Sequence, residues 1–502
     1  MSLKRNILAN YVSQIYVILI GIVMVPTYLR YMGAEAYGLV GFFAVLQSWF
    51  QLLDIGLTPT MARETARFNG GATDALSLRR LLRAMEGVFV GVALLGGMAL
   101  VIGSGAIARN WLKVQQLPLN EVQYAITLMA VIVALLWVCG LYRSAITGFE
   151  RLVWLSGFNM VLATARFVLV VPLFIYVGSS PTLFFSYQLL LAVLEFGVLV
   201  VQTYRFLPKI AANQTTPWRW APLSQVLKFS SSIAFAGFFW VIATQADKLI
   251  LSKLLPLAEY GYFTLVVLVA GGVMAIGGPV SGALLPRLTK LVAEGDERGM
   301  LQLYRGATQV VAVMAIPATL ILALFPKQVL WAWTGDPVLV GMVAPILALY
   351  AVGSGIAVIS AFPYYLQFAK GNLKLHLIGR SVFVLILVSS LMWLASRFGM
   401  TGAAWIWLVL NVAYLTLWVP IEHKRFAPGL HLRWMLKDIM VPSLSPVLVA
   451  LLLQYAVPWP VGRFAIAVQL SVVALLLLIL ACMGSSRIRT IVKDRIFEVR
   501  IA

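Results

Sequence analysis

Acidic residues, histidine and cysteine are all scarce in this chain, and no large polar segment is present. Only 18 of its 502 residues are Asp or Glu, against 38 Lys or Arg. The two cysteines, Cys139 and Cys482, both fall inside apolar stretches, so neither a disulfide framework nor a metal site is suggested. His376, His423 and His431 are scattered, and no His-Glu-x-x-His helix occurs. No glycine-rich loop ending in Lys-Ser/Thr is found, which argues against a built-in ATPase. The longest loop, roughly 58–83, is far too short for a folded catalytic domain. Hydrolases and glycosyltransferases need clustered acid–base or metal residues, and none is seen. A membrane polysaccharide polymerase is disfavoured because the loops on its outer side would all be short. The sequence therefore implies a non-enzymatic protein with no cofactor.

What fills the chain is apolar sequence. Hydrophobic residues make up 61% of it and charged residues 11%. Crossing about 30 Å of hydrocarbon takes about 20 helical residues. Suitable runs lie near 8–29, 37–57, 84–107, 121–147, 153–177, 183–204, 227–251, 260–283, 306–325, 338–362, 376–395, 400–421, 439–457 and 463–483. The fold class is an all-α polytopic membrane protein of about fourteen transmembrane helices. The first run follows Lys4 and Arg5 and has no small-residue cleavage site, so it reads as a retained helix.

Charge placement orients the chain, because basic residues accumulate in cytoplasmic loops. With the N-terminus inside, 27 of the 38 basic residues fall in cytoplasmic segments, 7 in outer loops and 4 (Arg143, Arg166, Lys248 and Arg380) within helices. Both termini are then cytoplasmic. The net charge of +20 follows from this topology and from attraction to anionic lipid, about 1 kcal/mol per basic residue near the surface, and calls for no nucleic acid. Asn213-Gln-Thr215 matches a glycosylation acceptor but falls on the cytoplasmic side. The stretch 422–438, with Trp434 among basic residues, reads as an amphipathic connector on the inner membrane surface.

An internal repeat organises the helices. Arg30, Tyr37 and Gly38 match Lys253, Tyr260 and Gly261 at an offset of 223. Arg63 and Arg287 follow Tyr37 and Tyr260 by 26 and 27 residues. Helices 1–6 (residues 1–210) and 7–12 (211–425) thus read as parallel copies, as in transporters whose halves open a site alternately to each side. Residues 426–502 hold helices 13 and 14 and a basic tail.

Segment 26–43, PTYLRYMGAEAYGLVGFF, followed by Asp54-Ile55-Gly56-Leu57 and Arg63, resembles the opening of the prokaryotic polysaccharide-export flippases. These are lipid-linked oligosaccharide (O-antigen type) translocators of the multidrug/oligolipid/polysaccharide flippase superfamily. Gly148-Phe-Glu-Arg151 is similar to a further position of that family. The resemblance implies two six-helix lobes around a cavity in the inner membrane. It also implies movement of undecaprenyl-diphosphate-linked glycan to the outer leaflet for polysaccharide or lipopolysaccharide biosynthesis. A glycan polymerase and other assembly proteins would be the partners. The fourteen-helix count equally resembles lipid II flippases, and a multidrug exporter of the same superfamily is the other alternative.

Polar residues inside the membrane are the functional candidates, since each charge there costs about 2.5–3.5 kcal/mol on insertion scales. Arg166, with Asn159 two turns before it, either binds a diphosphate or pairs structurally with Glu195. Arg143 and Arg380 either snorkel or join Arg63 and Arg287 in a cationic mouth. Asn6, Asn10 and Gln14 form a polar stripe on helix 1, matched on helix 7 by Ser230, Ser231, Thr244, Gln245, Asp247 and Lys248. The adjacent Asp247 and Lys248 diverge by about 100°, which predicts side chains that do not point the same way. Asp54 reads as a cap for the next helix or a partner of Arg63. Asp54, Glu195 and Asp247 are also the acids able to take a coupling proton or sodium ion. Gly271, Gly272, Gly277, Gly278, Pro279, Pro345, Gly353, Gly355 and Pro363 mark close packing or bends in helices 8 and 10.

Overall fold

The computed structural model describes residues 3–54, 56–208 and 221–490. Asn213–Thr215, Ile55 and the side chains of Ser230 and Ser231 lie outside the described residues. Nineteen α-helices are described: α1 (Leu3–Phe50), α2 (Leu57–Asn69), α3 (Ala75–Ala106), α4 (Leu119–Gly148), α5 (Leu152–Phe167), α6 (Val170–Tyr176), α7 (Pro181–Phe206), α8 (Ala221–Leu254), α9 (Leu257–Ala275), α10 (Gly277–Ala293), α11 (Glu297–Leu324), α12 (Pro326–Thr334), α13 (Pro337–Ser360), α14 (Phe362–Ala369), α15 (Lys374–Ala413), α16 (Val419–Phe426), α17 (His431–Arg433), α18 (Val441–Ala456) and α19 (Arg463–Gly484). No strand is present among the described residues.

Eleven helical stretches are long and apolar enough to cross a bilayer, and α8 is not counted among them. The 48-residue α1 would run about 72 Å as one straight rod, more than twice the hydrocarbon thickness. It turns instead at Gly33, whose φ of +81° only glycine adopts without strain, and α15 turns likewise at Gly399, φ +56°. With α1 and α15 each counted as two, these stretches make thirteen, and the 34-residue α8 is a fourteenth helix of sufficient length.

The chain divides into two compact units, Met1–Gly261 and Tyr262–Ala502, with α8 belonging to the first. In the first unit α4 is the hub, packed against α1, α2, α3, α5 and α7. Its fully buried residues include Ala125, Ile126, Met129, Cys139 and Leu141. In the second unit α13 has the same central position, against α11, α12 and α15, while α18 and α19 dock on α11. Gly353 and Gly355 of α13 lie against Trp407 and Thr319, so at these two positions the glycines serve close packing. The span near 260–283 breaks at Ile276, and the one near 338–362 ends at Ala361.

The two copies of the repeated motif touch within the first unit. A Cβ on Gly38 would run into the carbonyl oxygen of Leu257, and one on Gly261 would lie 2.7 Å from the carbonyl oxygen of Ala34. Positions 34 and 257, like 38 and 261, are 223 residues apart, so each copy presents the same two residues to the other. The ends are tied together nearby. Leu257 N–H donates to Lys113 O at 3.0 Å, and Lys113 Nζ donates to Leu254 O at 2.7 Å. The buried Glu35 carboxylate accepts the backbone N–H groups of Gln115, Gln116 and Leu117 at 2.5, 2.8 and 3.1 Å. Because overpacking a tight contact costs about 1–3 kcal/mol, Gly38→Val and Gly261→Val are each expected to lower the melting temperature of the purified protein. Gly271→Ala, where a Cβ meets nothing within 4 Å, serves as the neutral control in the same thermal-shift measurement.

In the second unit Trp434 is fully buried, where the sequence reading puts it at the membrane surface. Its indole stacks on Tyr304 and donates to Thr308 Oγ1 at 2.9 Å. Asp438, also fully buried, explains this: it accepts Arg305 Nε and Nη2 at 2.6 and 3.0 Å and Gln309 Nε2 at 2.7 Å, drawing the segment before α18 onto α11. Gln309 Oε1 in turn accepts Ser485 Oγ and Arg487 N–H at the end of α19.

Candidate functional site

Four polar side chains meet inside the first unit: Arg143 from α4, Asn159 and Arg166 from α5, and Glu195 from α7. Local sequence places each of them. Pro172 cannot continue the hydrogen-bond ladder, and the span near 153–177 is broken between Phe167 and Val170. Arg166 therefore occupies the last turn of α5, where carbonyls lose their helical partners. Side chains take those carbonyls over. Tyr187 OH donates to Ala165 O at 2.8 Å, Gln188 Nε2 to Arg166 O at 3.2 Å and Tyr28 OH to Phe167 O at 2.9 Å. Gln188 and Glu195 are two turns apart on α7, both buried, so one face of that helix serves Arg166 twice.

Glu195 joins the three helices. Arg166 Nη2 donates to its Oε2 at 2.5 Å. Arg143 reaches its Oε1 through both Nε, at 3.1 Å, and Nη2, while Arg143 Nη1 donates to Asn159 Oδ1. The carboxylate side chain is 2% exposed, whereas the Arg143 and Arg166 side chains are 30% and 20% exposed. The anion is sealed and the cations are reachable. Two guanidiniums share one carboxylate, so the cluster carries a net charge of +1. At membrane depth that charge demands a further anion, and planar guanidinium groups match phosphate oxygens bidentately.

The other candidates are placed elsewhere. Arg143 turns into the cluster and does not snorkel. Arg63 is exposed, 3.6 Å from Glu64, and Arg287 is exposed on α10 of the second unit. Arg380 lies in that second unit too, over the rings of Tyr414 and Phe383 at 5.0 and 5.9 Å. Lys248 and Asp247 do not diverge as their adjacency predicts. The four-carbon lysine stem curls back, putting Nζ 2.5 Å from Thr244 O and 3.7 Å from Asp247 Oδ1. Asp54 takes the Thr58 backbone N–H at 3.0 Å in the first turn of α2, as a cap does. The helix 1 stripe divides: Asn6 is buried and donates to Glu150 O at 3.1 Å, Asn10 is half-buried and Gln14 exposed.

Among the described residues, sequence reasoning missed four buried acids, of which Glu64 pairs with Arg67 at 3.1 Å. Glu35 holds the turn at Gly33, and Asp438 holds the C-terminal helices. Glu422, 1% exposed, accepts Gln367 Nε2 at 2.7 Å and Tyr414 OH at 3.4 Å beside a π turn, Tyr414–Trp418. Asp438 has a signal in the sequence, since it is the lone acid in a basic run; Glu35 sits in a motif read for its arginine, tyrosine and glycine.

The helices and the two-unit layout define a polytopic membrane protein. The chain belongs to the polysaccharide biosynthesis protein family, whose model matches residues 3–292. No curated protein sequence matches it. Among solved structures it is similar to the lipid II flippase MurJ in an inward-closed conformation, with a TM-score of 0.71 and 14% identity over 95% of this chain and 98% of that one. It is also similar to an inward-facing multidrug resistance MATE family transporter of the MOP superfamily, with a TM-score of 0.64 and 15% identity over 83% and 96%. A MOP superfamily transporter from Pyrococcus furiosus, described by the reverse polarity of its binding pocket, matches with a TM-score of 0.56 and 13% identity over 84% and 95%. These likenesses establish the shared fold.

Proposed function

We propose that the protein is a flippase for undecaprenyl-diphosphate-linked oligosaccharide, moving it from the cytoplasmic to the outer leaflet of a prokaryotic inner membrane by alternating access. Both termini are cytoplasmic in this reading, and the product feeds export of a surface polysaccharide such as O-antigen. The observation that carries it is the surplus positive charge of the Arg143–Glu195–Arg166 cluster. A diphosphate headgroup supplies the missing anion, while its prenyl tail stays in lipid. A multidrug exporter of organic cations would instead need surplus negative charge there. Lipid II carries the same diphosphate, so the cluster serves either glycan. Transport is coupled to a proton or sodium gradient, with Glu195, Asp247 and Asp54 as the acids available to carry the ion. The test is translocation of a fluorescent prenyl-diphosphate oligosaccharide in proteoliposomes, with and without each gradient. Transport above empty liposomes is the expected result. Expulsion of cationic dyes with no movement of the lipid-linked glycan would overturn the reading.

A further inference from the structure

A cavity of about 440 Å³ opens inside the first unit, walled by the end of α1, the start of α2, α4 and the middle of α8. Its polar lining includes Gln47, Gln51 and Thr58, and its aromatic lining is Trp137, Phe238 and Trp240. The two glutamines are one helical turn apart. Trp137 is held rigidly, stacked on Phe89 at 4.4 Å between centroids with Phe50 edge-on at 5.9 Å. Phe238 and Trp240 are about half exposed, at 46% and 54%. Among the described residues, no lysine or arginine lines the space. The one acid among the described lining residues, Asp54, already accepts Thr58 N–H and Thr58 Oγ1 at 3.0 and 2.5 Å through Oδ1.

We propose that this cavity is a saccharide subsite that receives the sugars next to the diphosphate. The inference rests on the flippase reading and adds what that reading lacks, a place for the glycan. A pyranose ring has an apolar face of C–H groups and a rim of hydroxyls that both donate and accept. Aromatic faces, negative at the centre of the ring, suit the first. Glutamine amides, each offering a carbonyl acceptor and an NH₂ donor, suit the second. The volume falls in the usual range for small-ligand sites, about 300–1,000 Å³. With no lysine or arginine among the described lining residues, the diphosphate is left to Arg143 and Arg166. Position along α4 connects the two. Trp137 and Gly140 line the cavity, and Arg143 is one turn beyond Gly140, about 9 Å along the helix from Trp137. A sugar bonded directly to a phosphate needs such neighbouring subsites, one cationic and one aromatic-amide.

The experiment measures binding to the full-length protein in nanodiscs, using three probes. These are lipid-linked oligosaccharide extracted from the producing cells, undecaprenyl diphosphate without sugar, and the oligosaccharide released from its lipid. The wild type is expected to hold the lipid-linked glycan about tenfold more tightly than the sugarless lipid, a difference of about 1.4 kcal/mol. Gln51→Ala and Trp240→Ala, both at exposed positions, should erase that gain and leave affinity for undecaprenyl diphosphate unchanged; Trp240→Phe should recover most of it. The free oligosaccharide should bind the wild type and not Trp240→Ala, a readout independent of the headgroup. Equal loss for both lipids, or loss for neither, overturns the subsite, as does Trp240-dependent binding of rhodamine 6G that the oligosaccharide does not displace. Free oligosaccharide bound without any binding of the diphosphate would instead keep the subsite and refute the headgroup assignment. A wild type that binds none of the three probes refutes both.

Discussion

Arg166→Ala is expected to reduce glycan translocation about 100-fold, roughly 2.7 kcal/mol of lost interaction, while leaving the amount of folded protein in the membrane unchanged. The reason lies in the charge balance of the cluster. With Arg166 gone, Arg143 still neutralises Glu195 through Nε and Nη2, so no buried carboxylate is stranded. The carbonyls at the end of α5 keep their partners as well, because Tyr187, Gln188 and Tyr28 contact backbone atoms that alanine also possesses. What disappears is the surplus cation. The cluster becomes neutral and loses its attraction for a diphosphate. Arg166→Lys should fall between the two, since an ammonium keeps the charge without the planar fork. The check is transport rate in proteoliposomes against abundance by quantitative blotting. Wild-type transport by Arg166→Ala would remove this residue from the substrate site.

Glu195→Ala is expected to do the reverse and act on the fold. Glu195 is the sole carboxylate between two guanidiniums in the cluster, and its side chain is 2% exposed. Removing it leaves two like charges facing each other across α4 and α5 with nothing to balance them. Stranding one member of a buried ion pair costs about 3–5 kcal/mol, and here two are stranded. The protein should therefore be recovered in much lower yield and melt at a lower temperature. The double variant Glu195→Ala/Arg143→Ala, which leaves only Arg166 uncompensated, should recover part of that loss. Recovery of the fold without recovery of transport would mark Glu195 as the member that holds both arginines in place. A stable, normally abundant Glu195→Ala protein would refute its bridging role.

These two variants also show how far the site was legible in the sequence. Arg166 and Glu195 stand out because each is a charge near the middle of an apolar run, and the sequence leaves two readings, diphosphate binding or their pairing. Arg143 is open to two readings, since a basic residue one turn inside a helix end either snorkels or joins a cationic mouth. Only the packing of α4 against α7 shows that its side chain reaches Glu195 instead. The crossings are legible because hydrocarbon thickness fixes their length, and the turn at Gly33 falls in the gap between the runs near 8–29 and 37–57. The burial of Trp434 was hidden: the basic residues around it suggest a membrane surface, and the deciding partner, Arg305, is 133 residues from Asp438. Lys248 shows a similar limit. Helical periodicity describes where Cβ points, and a long flexible stem can return its charge to the other side.

The contact between the repeated motifs has a further meaning for how this chain can vary. Residue 34 lies against 261 while 38 lies against 257, which is the exchange pattern of a two-fold homodimer, here made by one polypeptide with itself. Each position thus has a counterpart of defined address, and the pair shares one volume. A side chain added at either glycine must be accommodated by backbone in the opposite copy, so the two copies of this motif are not free to drift apart independently, however far the rest of the halves diverge.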